Sequence, residues 1–169
     1  MGRGRENSRH YKGVCNLRNK PSACLIALAI TISIAATAAA PDGQYENNRY
    51  WLTDAERELV ERVVMAEARG ETLQGQMAVA QVIYNRIMHD RFPDSVAAVI
   101  RSEFAKPYKG KIFESVKLAV KSVFDMGVRV FMNDVCYFMN PITASINGAS
   151  WIRRNAKMIA RIGNHEFYR

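Results

Sequence analysis

The chain has 169 residues and a formal net charge of +8, long enough for one domain with its own hydrophobic core. The charge is uneven: residues 1–40 hold Arg3, Arg5, Arg9, Lys12, Arg18 and Lys20 against Glu6 alone. A basic excess gathered ahead of an apolar stretch argues against a nucleic-acid footprint. A single cysteine beyond that stretch, Cys136, excludes an internal disulfide scaffold there.

The apolar stretch is ACLIALAITISIAATAAA, Ala23–Ala40. A basic start, an apolar middle and small residues at the end form the pattern of a secretory signal, with Ala36-Thr37-Ala38 as the cleavage box. The alternative is an uncleaved anchor, since a span needs ~17–25 residues. The expected product is exported, periplasmic or extracellular, and meets a membrane only through this segment if it stays attached. Residues 41–52, polar and turn-rich, read as a linker.

A helix is then predicted from Thr53 or Asp54, with Glu56 and Glu58 in its first turn and Leu59, Val60, Val63 and Val64 at helical spacing. Gly70 ends it. Thr72 and Gln74 open a second helix, with Met77, Ala80, Ile83, Tyr84 and Ile87 on one face. Pro93 breaks that pattern, and Asp94 or Ser95 caps a short helix, VAAVIR. A loop, EFAKPYKGK, leads to a helix over ESVKLAVKSVFDMG, stopped by Gly127. In VRVFMNDVCYFMNP, β-branched and aromatic residues around Asn133-Asp134 suggest one or two short strands. Residues 144–150 read as loop, 151–158 as a helical turn, and IARIGNHEFY as strand and turn. The expected fold class is α+β, mainly helical, with a small β component. Cys136 lies in an apolar run and is expected to be buried rather than reactive.

Leu59, Val63 and Glu67 are four apart and stack along one helix face. The apolar part of that line should face the core, which puts Glu67 where the core meets a cleft. Partial burial favours the neutral form of a carboxyl, and a carboxyl held neutral can act as a general acid. A plain pairing of Glu67 with Arg69, Arg86 or a backbone cap explains the spacing equally well. Glu71, across Gly70, reads as an acid at the start of the next helix.

The segments AEARGE (Ala66–Glu71), GQMAVAQVIYNR, RFPDS, SEF, YFMNP, SWI and IGNHEFY, in this order, resemble the SleB-type cell-wall hydrolase family. The resemblance runs from about Thr53 to Tyr168, so residues 53–169 are expected to form the catalytic domain. It implies a lysozyme-like, lytic-transglycosylase-related fold that cuts peptidoglycan glycan strands, with Glu67 as the catalytic acid. It also brings Glu71, Asn85, Arg86, Tyr137, Asn140, Trp151 and His165 forward as candidate substrate contacts. Each has a bland alternative: helix ends for Asn85 and Arg86, core packing for Tyr137 and Trp151, a turn for Asn140, a packed histidine for His165.

A second carboxyl, as two-acid glycosidases require, is not evident; Asp125, Asp134 and Glu166 read as surface residues. One acid therefore serves both half-steps, and plain hydrolysis of the same bond is the alternative outcome. A zinc amidase would need several ligands at short spacing, whereas His89 and His165 stand far apart with no HxxxH. The expectation is no metal and no cofactor, peptidoglycan as partner, no nucleic acid, and a monomer. A non-catalytic wall-binding module is the remaining alternative.

Overall fold

The computed structural model describes residues 44–46 and 49–169. The expected leader and its cleavage box lie outside the described residues. The elements in chain order are β1 (Gln44–Glu46), β2 (Arg49–Trp51), α1 (Asp54–Ala68), α2 (Leu73–Met88), α3 (Val96–Glu103), α4 (Glu114–Phe124), β3 (Tyr137–Met139), α5 (Ile146–Asn155), β4 (Met158–Ile162) and β5 (His165–Tyr168). The fold is mainly helical, with a small antiparallel sheet ordered β3-β5-β4 and a separate β1–β2 pair.

Local chemistry sets the helix starts. The Thr53 hydroxyl accepts from the Glu56 N–H while the Glu56 carboxylate accepts from the Thr53 N–H, a complete capping box. Thr72 and Ser95 cap α2 and α3 through single side-chain bonds to Gly75 and Ala98. Val60, Val63, Val64, Met65 and Ala68 of α1 are buried. α2 packs against both α1 and α4 and is buried on nearly every side, including the polar Gln76, Gln81 and Arg86. The expected α1 and α2 are therefore present as read, while α3 runs on to Glu103 and α4 stops at Phe124, short of Gly127.

Two local expectations are corrected. The segment read as a linker carries β1 and β2, and Tyr50 is 1% exposed with its hydroxyl donating to Glu56 Oε1 at 2.6 Å. Tyr50 docks because it buries a ring and still finds a partner for its hydroxyl, so the folded unit begins before Thr53. The loop expected at 144–150 is largely helix: α5 starts at Ile146 with Ser145 as its cap. None of its residues is buried, so it shows no core-facing stripe to betray it. It ends at Asn155, and Met158 opens a strand, not a helical turn.

In the stretch expected to hold one or two short strands, residues 128–139, Tyr137–Met139 forms one. The backbone ahead of it bonds to side chains of α2. Gln81 Oε1 accepts from the N–H groups of Val130 (2.7 Å) and Phe131 (3.0 Å), and its Nε2 donates to the Phe131 carbonyl (2.8 Å). Asn85 Nδ2 donates to the Val135 carbonyl (2.9 Å) and Arg86 Nε to that of Cys136 (2.7 Å). Helix side chains thus stand in for a partner strand, satisfying backbone groups that burial would otherwise leave bare.

β4 and β5 form a hairpin with Ile162 opposite His165. Its two-residue turn begins at Gly163, φ +57°, a conformation that glycine adopts without steric cost. No helix among the described residues is long and apolar enough to cross a membrane.

Candidate active site

Glu67 lies in the last turn of α1, four residues past the fully buried Val63, and is itself half-buried. This is an unfavourable place for an anion: the helix C-terminus carries the negative end of the dipole, and no basic residue occupies that turn. A carboxylate kept against local preference is a candidate for chemistry. Its Oε1 accepts from the Ala105 N–H at 2.7 Å. Among the described residues no donor reaches Oε2, so one oxygen is oriented and the other is open.

Arg86, on α2, is 5% exposed. Its guanidinium sits among the rings of Phe104 (4.9 Å to the centroid), Phe92 (5.0 Å) and Tyr137 (5.5 Å). Nη1 lies 3.5 Å from Glu103 Oε2, an ion pair too long for a hydrogen bond, and is otherwise unpartnered. Burial lowers the Arg86 pKa, opposed first by the charge of Glu103 and more weakly by Cys136, Tyr137 and Glu67. Cys136 is buried, and its thiol is pushed up to about 11 by that burial, as expected of an inert cysteine.

The aromatic residues continue from there. Tyr137 stands edge-on to Trp151 at 5.9 Å, and Trp151 is half exposed on α5. Phe138 lies 6.1 Å from Phe104 and 5.3 Å from the His165 ring. Asn140 closes the turn after β3: its Oδ1 accepts from the Ile142 N–H at 2.9 Å.

Glu71 is 7% exposed in its side chain. Its two oxygens accept from Asn164, Oε1 from Nδ2 at 2.9 Å and Oε2 from the N–H at 3.2 Å. A Cβ added at Gly163 would strike Glu71 Oε2, and one at Gly75 would meet the Glu71 Cβ at 2.9 Å. Both glycines make room for this carboxylate, which ties the start of α2 to the β4–β5 turn. His165 Nδ1 lies 3.6 Å from Glu71 Oε1, buried and without a hydrogen bond.

The structure thus brings Arg86, Tyr137 and Trp151 into one contiguous set, and Glu71 and His165 into another, both within electrostatic reach of Glu67. Asn85 faces the Val135 carbonyl, and Asn140 belongs to the turn. Sequence reasoning missed the Ala105 amide, which has no side-chain signature, and Asn164. It also missed Gln81, whose signal was legible: a lone amide inside the apolar run AVAQVIY. Among the described residues no group of three or more His, Cys, Asp and Glu could hold a metal. A concavity of about 460 Å³ around Glu61 and Lys117, lined from α1 and α4, contains none of the site residues.

Burial lowers the pKa of His165, and the charges of Glu71 and then Glu67 oppose the shift. The folded protein therefore favours neutral imidazole. The associated stability is fully present above the unfolded value of about 6.5 and is lost as pH falls below it, because the unfolded chain then binds more protons. Melting temperature should drop between pH 7 and pH 5 more in the wild type than in His165→Gln. Equal slopes in the two proteins would refute this.

Comparison with known proteins adds the family. The sequence model of the cell wall hydrolase family matches residues 70–168. That range holds every candidate contact from Glu71 to His165 and begins just after Glu67. The spore cortex-lytic enzyme of Halalkalibacterium halodurans is 36% identical over 119 residues, covering 68% of this chain and 35% of that protein. That of Bacillus subtilis is 34% identical over 137 residues, 78% of this chain and 41% of that protein. The chain therefore spans about two fifths of the curated relatives it matches. The crystal structure of the catalytic domain of the Bacillus cereus SleB protein superposes with a TM-score of 0.62 at 30% identity, covering 75% of this chain and all of that one. The catalytic domain of the germination-specific lytic transglycosylase SleB from Bacillus anthracis gives a TM-score of 0.57 at 29% identity, over 77% of this chain and all of that one. With the family match spanning more than half of the sequence and whole catalytic domains covered in space, this chain belongs to the cell wall hydrolase family.

Proposed function

We propose that the protein cuts peptidoglycan glycan strands between N-acetylmuramic acid and N-acetylglucosamine, as a lytic transglycosylase with Glu67 as the one general acid and base. The observation that carries the reading is Glu67 itself, half-buried at a helix end with Oε1 held by Ala105 and Oε2 open. The lytic transglycosylase of Bacillus anthracis, whose catalytic domain this chain matches over its full length, supports the reaction type.

In the acid form Glu67 gives its proton to the glycosidic oxygen as the bond from that oxygen to C1 of the muramic sugar breaks. The substrate's own N-acetyl group stabilises the cationic sugar. The carboxylate then takes the proton of the muramic 6-hydroxyl as O6 bonds to C1, closing a 1,6-anhydro ring and restoring the acid. No water is consumed. Glu71, Glu103 and Glu166 are engaged, Glu71 by Asn164, Glu103 by Arg86, and Glu166 by Tyr168 and Arg153.

Tyr137 and Trp151 offer ring faces and edges for sugar C–H groups. Asn85 keeps its Oδ1 free of described donors and suits an N-acetyl amide. Arg86, Asn140, Glu71 and His165 shape the walls around these contacts. The protein acts as an exported monomer at the cell wall, with residues 1–40 as its signal or anchor. Nucleic acid is not a partner.

Mass spectrometry of the muropeptides released should find muramic ends one water lighter than reducing ends. Reducing ends alone would turn the reading to hydrolysis of the same bond, and peptide release without glycan cleavage would sink it. Activity should also survive EDTA, since general acid–base chemistry at Glu67 calls on no metal. Abolition by EDTA with rescue by zinc would revive an amidase.

A further inference from the structure

We infer that the loop between α3 and α4, residues 104–113, is a subsite for the carboxylates of the peptide stems on the glycan strand; this rests on the cleavage reading above. The loop begins at the reacting group, for Ala105 is the residue that holds Glu67 Oε1. Lys106 follows directly. Over residues 104–113 there are Lys106, Lys109 and Lys111 and no acid. Arg62, Lys106, Pro107, Tyr108 and Lys109 line a concavity of about 540 Å³.

The loop is tied down rather than loosely hung. The Tyr108 N–H donates to the Arg62 carbonyl at 3.1 Å, and Arg62 Nη1 donates back to the Tyr108 carbonyl at 2.9 Å. Glu58 neutralises Arg62 at 2.8 Å. Arg69, two residues past Glu67, lies over the Tyr108 ring at 5.6 Å. Among the described residues Arg69, Lys106 and Lys109 have no carboxylate partner. Cations gathered at a concavity without acids set up a field that attracts anions.

Peptidoglycan supplies such an anion at the right place. Its muramic sugars carry short peptides with free carboxylates, and a strand seated with its bond at Glu67 brings a stem to the rim. From Ala105 to Lys109 the chain spans at most ~14 Å, within reach of a stem of a few residues. The loop therefore recognises the stem while α1 presents the acid to the glycan.

The test compares peptidoglycan with the same preparation after its carboxylates are converted to amides by carbodiimide and ammonia. Wild type should cleave the native wall more efficiently by roughly three- to tenfold, the worth of two exposed ion pairs. In the double variant Lys106→Gln/Lys109→Gln that ratio should fall towards one, through KM rather than kcat. Lys117→Gln/Lys121→Gln, an equal charge change on α4, should keep the wild-type ratio. Indifference of the wild type to amidation, or an unchanged ratio in the double variant, overturns the subsite. If wild type cleaves neither wall, the cleavage reading itself has failed. Co-sedimentation of the wild type with native and amidated wall then decides the subsite alone: equal binding to both overturns it.

Discussion

Glu67→Gln is expected to lower the rate of glycan cleavage by on the order of 10²–10⁴, the usual worth of positioned acid–base catalysis, while the melting curve barely moves. Gln has nearly the same size and keeps a carbonyl oxygen for the Ala105 N–H, so the bond that orients the side chain survives. What it loses is the transferable proton. The contrast with Glu71→Gln sharpens the test. Both Glu71 oxygens accept from Asn164, and an amide can accept on one only, so the cost should appear mainly as lower stability. Near-normal lysis by Glu67→Gln at an unchanged melting temperature would refute the assignment and leave Glu71 as the next candidate.

Gln81→Leu should destabilise the fold by about 2–4 kcal/mol, read by urea unfolding. Gln81 is 1% exposed and serves three backbone groups, the N–H of Val130 and both polar groups of Phe131. Leucine keeps the volume and strips all three of their partner, and each buried polar group left bare costs about 1–3 kcal/mol. Local rearrangement recovers part of the total. The loss matters to the site because this segment leads directly into Tyr137 and Phe138. A change below about 0.5 kcal/mol, the range of an ordinary surface substitution, would mean that the 130–131 backbone finds other partners and that α2 does not hold it.

The sequence by itself determined the helical frame and the phase of its faces. Thr53 with Glu56, the apolar spacing of Val60, Val63 and Val64, and the caps Thr72 and Ser95 all act within a turn or two of their own chain. Such interactions involve only near neighbours along the chain, so their signals can be read without knowing the fold. For the same reason the position of Glu67, four past Val63, was legible, and the ordered motifs around it pointed to the right family. A buried Cys136 also followed from its apolar neighbours.

Only the tertiary structure decided what those residues meet. The bond between Glu67 and Ala105 joins positions 38 apart, and that between Glu71 and Asn164 positions 93 apart. Neither has a local signature, because a backbone amide is common to nearly every residue and an acid beside a glycine turn has many uses. The β1–β2 pair and the unburied α5 were misread on the same ground, and the bonds from Gln81, Asn85 and Arg86 that hold the irregular run ahead of β3 were not legible. Their conformations come from docking, exposure and borrowed hydrogen bonds, where the periodicity that marks an amphipathic element is weak or absent. The candidate site lies where the two kinds of information meet: a carboxylate that the helix pattern locates, held by a loop that only packing brings to it.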